Sequence, residues 1–251
     1  MRLPRIAFVL VLCSVLCCLS SQAFASTIVI PNANATTVGN APDGTGGEIG
    51  MSFHFQELYG SGQFMSVGGP ILIYSLAWRS VPGTGPFLLT ADNFDLYLST
   101  SPRFPNQIGG GPALLMSSTF ADNVGPDNTL VFHGPVTLSS PGCAAGPTPC
   151  AFDLSFTFQT PFLYNPFQGR LLLDGVVTNF TSAGGTLDGV SFTPFGSMAS
   201  VFAQVGNASG EFDASGTITQ LGFTAVPEPA TAMLLMSGLG AGAAARRRRK
   251  N

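Results

Sequence analysis

Phe152-Asp153-Leu154-Ser155-Phe156-Thr157-Phe158-Gln159 alternates apolar and polar residues without a break. Successive side chains on a β-strand point to opposite faces, so the four apolar residues should face a core and Asp153, Ser155, Thr157 and Gln159 should face water. The same period recurs at Ser52-Phe53-His54-Phe55-Gln56 and at Asn93-Phe94-Asp95-Leu96-Tyr97-Leu98. Denser apolar runs, Ile71-Leu72-Ile73-Tyr74, Leu130-Val131-Phe132 and Leu171-Leu172-Leu173, suit central strands covered on both faces. Turn signals separate them: Gly68-Gly69-Pro70, Pro82-Gly83, Gly109-Gly110-Gly111-Pro112 and Gly184-Gly185. The body shows no sustained helical period. Residues 26–225 are therefore expected to form one all-β domain, an antiparallel two-sheet sandwich of jelly-roll type.

The chain has 31 Gly and 19 Pro, a proportion at which disorder comes into question. The aromatic and β-branched runs between the breakers argue for folding instead. Roughly 200 residues suffice to bury a real core.

Both ends have a different character. Met1-Arg2-Leu3-Pro4-Arg5 is cationic, Ile6 to Leu19 is apolar, and Ala23-Phe24-Ala25 is a small-x-small cleavage pattern before Ser26. Residues 1–25 read as a secretory signal peptide, which implies the Sec export machinery as a partner. Cys13, Cys17 and Cys18 lie within the apolar run, and the residues before them fit a lipoprotein acceptor poorly.

At the other end, residues 226–251 hold Val226-Pro227-Glu228-Pro229-Ala230, an uncharged Ala/Leu/Gly run over 230–245, and Arg246-Arg247-Arg248-Arg249-Lys250. As a helix the run would span roughly 24 Å at about 1.5 Å per residue, somewhat short of a hydrocarbon core of about 30 Å. Snorkelling of the flanking arginines can close that gap. The run has no polar face, so it reads as a transmembrane helix, with the basic tail 246–250 cytoplasmic and the body on the far side. The two prolines around Glu228 remove backbone donors and favour an extended segment.

These C-terminal features resemble the PEP-CTERM sorting signal of bacterial exported proteins. The resemblance implies recognition by exosortase, a membrane-embedded cysteine transpeptidase, and removal of the tail near Pro227-Glu228-Pro229. It further implies an inner-membrane intermediate, a final place in the cell envelope, cell surface or medium, and a link to exopolysaccharide. In the body, His54-Phe55-Gln56-Glu57-Leu58-Tyr59, Leu76-Ala77-Trp78-Arg79 and Phe162 to Asp174 look like blocks of PEP-CTERM cargo domains of unassigned function. Arg170 departs from that pattern, which has Asn before Leu-Leu-Leu-Asp.

With both ends removed, Arg79, Arg103 and Arg170 face almost all of the chain's thirteen acids. A body this acidic is not expected to bind nucleic acid. Cys143 and Cys150 remain, an even count in an exported chain, and are expected to form a disulfide. A metal pair is the alternative, but no further Cys or His lies nearby. Closing so short a loop contributes roughly 2.5 kcal/mol in the chain-entropy picture.

Candidate chemistry is thin. His54 and His133 are the two histidines, each inside a strand-like run, and no Gly-x-Ser-x-Gly elbow occurs. The acids are scattered, so a glycosidase pair cannot be picked out. No catalytic residue and no firm cofactor is expected. Calcium is the more plausible ion, through Asp92 with Asp95 or Asp122 with Asp127 in loop-like sequence, although Asp and Asn at turns are also ordinary turn chemistry. Tyr59, Trp78 and Tyr164 are candidates for stacking on sugar rings, with Tyr164 favoured because it precedes a turn and Trp78 better suited to a core. The expectation is a non-enzymatic exported surface or matrix protein. A carbohydrate-binding module, with calcium as an optional aid, is the alternative.

Overall fold

The alternation at Phe152–Gln159 becomes a strand, Leu154–Tyr164, with Leu154 and Phe158 buried and Ser155, Thr157 and Gln159 exposed. A computed structural model describes residues 25–43, 51–105, 114–183, 185–191 and 196–226. One unit runs from Ala25 to Ala225. Its strands are β1 (Ala25–Ile30), β2 (Ala41–Asp43), β3 (Met51–Tyr59), β4 (Ile71–Trp78), β5 (Phe87–Ser101), β6 (Thr129–Ser140) and β7 (Leu154–Tyr164). They continue with β8 (Arg170–Ala183), β9 (Leu187–Val190), β10 (Met198–Gln204), β11 (Glu211–Asp213), β12 (Gly216–Thr217) and β13 (Thr219–Ala225). Helical structure among the described residues is confined to short 3-10 segments at Asn32–Asn34, Ser61–Val67 and Phe120–Asn123.

A four-stranded sheet has the order β1-β13-β4-β7, a six-stranded sheet β11-β10-β3-β8-β5-β6, and a small sheet β12-β9-β2. All these strand pairs are antiparallel. The two larger sheets meet through rings. Trp78 and Phe156 of the four-stranded sheet contact Phe94 of the six-stranded sheet at centroid distances of 6.5 and 5.7 Å, and Phe156 lies 5.1 Å from Phe132. Such tilted and edge-on pairs stabilise by about 0.5–1.5 kcal/mol each beyond the area they bury.

The dense apolar runs divide in two ways. Leu171 and Leu173 enter this core, while Leu172 points the other way into a second cluster with Leu58, Ala199 and Val201. Met116 and Phe120, from the segment between β5 and β6, cover that second cluster. β8 is thus buried on both faces, as its composition suggests. The Leu130-Val131-Phe132 run instead lies on β6, an edge strand. A register shift opposite Leu96/Tyr97 lets the neighbours Val131 and Phe132 both join the core, so the density comes from a bulge.

Gly175 has a specific reason to lack a side chain. A Cβ there would stand 2.3 Å from the Phe55 ring and 2.9 Å from Phe94. Those two rings stack across it with centroids 6.3 Å apart.

Among the described residues no helix is long and apolar enough to cross a membrane. The apolar run 230–245, the basic tail Arg246–Lys250, most of the expected signal peptide with Ala23, and Pro227 to Ala230 lie outside the described residues. Ala25 and Ser26 begin β1, and Val226 is exposed just after β13.

Candidate functional site

The open end of the six-stranded sheet's inner face forms a cleft of about 400 Å³. Strand periodicity builds it. Phe53, Phe55 and Glu57 project from one face of β3, and the register places Phe202 of β10 opposite Phe55 and Ser200 opposite Glu57. One strand further out, Glu211 lies opposite Phe202 and Asp213 opposite Ser200. Phe53 contacts the rings of Phe55, Phe180 and Phe202 at 5.9, 5.2 and 5.3 Å. Most of this aromatic floor is buried, but Phe202 is 46% exposed. Glu57 is buried and accepts hydrogen bonds from Tyr59 Oη and, at 2.7 Å, from the Thr217 amide.

β9 contributes Leu187 to the cleft wall and is pinned from behind by charge. Arg79, at the end of β4, donates from Nε to Asp188 Oδ2 at 2.9 Å and from a terminal nitrogen to Thr37 O at 2.7 Å. Both side chains are 1% exposed. The Gly39 amide completes the shell on Asp188 Oδ1 at 3.0 Å, and the guanidinium lies 4.9 Å from the Phe152 ring centroid. Burial pushes the Arg79 pKa down and that of Asp188 up, while their mutual attraction opposes both shifts.

A larger hollow, about 670 Å³, lies beside the Asn32–Asn34 turn. Several of its polar groups are spent on one another, and Arg170 lies over the Phe104 ring, 3.3 Å from its centroid. Asn32 donates to Gln63 Oε1 from its backbone N–H and to Gln63 O from Nδ2, both at 2.7 Å, and Asn40 exchanges two hydrogen bonds with the Ser191 backbone at 3.0 and 2.8 Å. A ligand there would have to break bonds that hold the loops, so the cleft is the better candidate.

The outer face of the six-stranded sheet carries the histidines. His54 Nε2 lies 2.6 Å from Asp174 Oδ1, and its ring stacks on Phe120 at 3.7 Å. Gln56 donates to Asp174 Oδ2 at 2.9 Å and to Phe120 O at 3.1 Å. Asn123 donates to Gln56 Oε1 at 2.8 Å and accepts from the Ser117 amide at 2.7 Å. This network locks the covering segment onto the sheet. His133, on the exposed side, bonds Asp95 through Nδ1. Burial alone would raise the Asp95 pKa, but the hydrogen bonds from His133 and Asn93 outweigh it and hold the carboxyl below its ordinary value.

The expected calcium donors each accept hydrogen bonds from protein groups. Asp92 and Asp95 lie within β5 rather than in a loop. Asp92 accepts from Asn179 Nδ2 at 2.7 Å, Asp122 from Ser117 Oγ at 3.0 Å, and Asp127 from the Thr100 amide at 2.7 Å. Asp122 also faces Arg103 at 3.6 Å. Among the described residues no three His, Cys, Asp or Glu side chains are placed to hold a metal ion.

The three proposed sugar-stacking rings are likewise not surface groups. Tyr59 and Tyr164 are fully buried and Trp78 nearly so. Tyr164, favoured for its place before a turn, turns inward and donates from its hydroxyl to Gly169 O at 3.0 Å. Burial raises its pKa well above that of an ordinary phenol. Trp78 donates to Thr219 Oγ1 at 3.2 Å. The expected disulfide joins Cys143 and Cys150, with Cα atoms 5.6 Å apart, in the connection between β6 and β7.

Sequence reasoning missed Phe202, Glu211 and Asp213 as neighbours of Phe53 and Phe55. Period two predicts which face each takes, but pairing of β10 with β3 across some 150 residues leaves no local signal.

No curated protein matches this chain. Residues 225–250 match the family model described as the PEP-CTERM protein-sorting motif. The chain thus carries a PEP-CTERM sorting motif, which implies export, sorting to the cell envelope and exosortase as the processing partner.

Proposed function

We propose that the chain is a non-enzymatic exported protein whose β body is released to the cell surface or extracellular matrix when its tail is removed. The observation that carries this reading is where the last described strand ends. β13, which lies between β1 and β4, ends at Ala225, and the sorting motif occupies 225–250. Cleavage at Pro227-Glu228-Pro229 would therefore remove none of the described strands. The test is to replace Glu228 with Ala, and separately Arg246 to Lys250 with neutral residues, in the native host. Retention of a longer, membrane-associated form is expected; normal processing of both variants would overturn the reading.

Strand order favours a second reading as a carbohydrate-binding module tied to exopolysaccharide. The sets β1-β13-β4-β7 and β3-β8-β5-β6 interleave early and late strands as two wound Greek keys do, the jelly-roll arrangement that lectin domains share. That support is by analogy of fold. Titrating the body with the host's exopolysaccharide, with and without a calcium chelator, tests it: saturable binding supports the module, and none removes it.

A further inference from the structure

We propose that the cleft on the inner face binds a small apolar cation, a flat or linear hydrophobic body carrying an ammonium group. This goes beyond the sorting reading and does not depend on it. Register is the first support. Residues directly opposite each other on paired strands share a face, so Glu211 and Asp213 stand on the same face as Phe202, Phe55 and Phe53. The second is exposure. Phe202 is 46% exposed beside rings that are otherwise buried, and the cleft of about 400 Å³ is of the size that takes a small organic ligand.

Charge selects the occupant. No lysine, arginine or histidine is among the described residues that line the cleft, whereas Glu57, Glu211 and Asp213 are. An anion would meet three acids and no cation. A neutral sugar could bond Ser200, Ser215 and the rim acids but would gain nothing from their charge. An ammonium is attracted both by the negative faces of the rings and by the two rim carboxylates, and its hydrocarbon part fills the apolar floor.

The experiment uses a matched series of fluorescent probes: diphenylhexatriene, its trimethylammonium derivative and its propionate. Every strand pair lies within Ala25–Ala225, so the oxidised body, residues 26–226, is titrated after its cooperative unfolding has been verified. The cation should bind about tenfold more tightly than the anion, with the neutral probe between them. Phe202→Ser should weaken all three by about tenfold. The double variant Glu211→Gln with Asp213→Asn should abolish the spread while leaving the neutral probe unchanged. No binding by the folded body, equal affinity for the three probes, or indifference to Phe202→Ser would each overturn the proposal.

Discussion

The six-stranded sheet has two faces built by the same alternation, and they end in opposite conditions. On the outer face, polar residues of β3 and β8 are sealed under the Phe120–Asn123 turn, where His54, Gln56, Asp174 and Asn123 satisfy one another. On the inner face, rings continue past the edge of the opposing sheet and leave Phe202 partly in solvent. A closed polar layer has used its hydrogen-bonding capacity on itself. An open apolar layer retains surface that a ligand can still desolvate. The contrast places rigidity on one face and capacity for binding on the other.

The largest expected effect tests the charge pair that holds the cleft wall. Asp188→Ala leaves Arg79 buried without its carboxylate and should cost about 3–5 kcal/mol in urea unfolding. Replacing both residues with apolar ones of similar volume should recover most of that loss; equal damage from the double variant would show that shape, not charge, is what matters there.

The faces themselves are compared by one substitution on each. Phe120→Ala opens the sealed layer and should cost about 3–5 kcal/mol, whereas Phe202→Ala should cost less than about 1 kcal/mol because that ring is half in water already. Equal losses would remove the distinction between a closed and an open face.

Within the sealed layer, Gln56→Leu strands partners on Asn123 and Asp174 and should cost about 1–3 kcal/mol. The same change would be nearly silent if water reached the network freely.

The smallest effect is one of pH. The folded-state pKa of Asp95 is depressed, so its contribution is present above the ordinary carboxylate value and is lost as pH falls through the folded one. Asp95→Asn should therefore flatten stability against pH below about 4 and leave the neutral range unaltered apart from a constant offset. An unchanged acid limb would show that the exposed His133 bond carries no stability.

The reading of the body from sequence was good where local period decides. β7 buries Leu154 and Phe158 as its alternation selects and packs Phe156 half-buried against the same core, and Leu171-Leu172-Leu173 lies in a strand covered on both sides. It failed where burial depends on distant partners. Asp92 and Asp95 resemble loop residues because Asp-Asn-x-Asp is turn chemistry, yet β5 runs through them: Asp95 pairs with His133 of β6 and Val176 of β8, and Asp92 lies in the irregularity between the paired residues Ala91 and Phe94. Tyr164 precedes a turn, and its hydroxyl is spent inside that same turn.

The chain by itself determined the all-β class, the pairing of Cys143 with Cys150 and the sorting signal, because each rests on residues close together in sequence: a two-residue period, a short loop, an ordered motif. The tertiary structure alone decided which rings are buried and which acids are neighbours. Trp78 meets Thr219 across 141 residues, and Arg79 meets Asp188 across 109. Such contacts exist only once sheets have paired and packed, since no local preference encodes which strand will lie beside which.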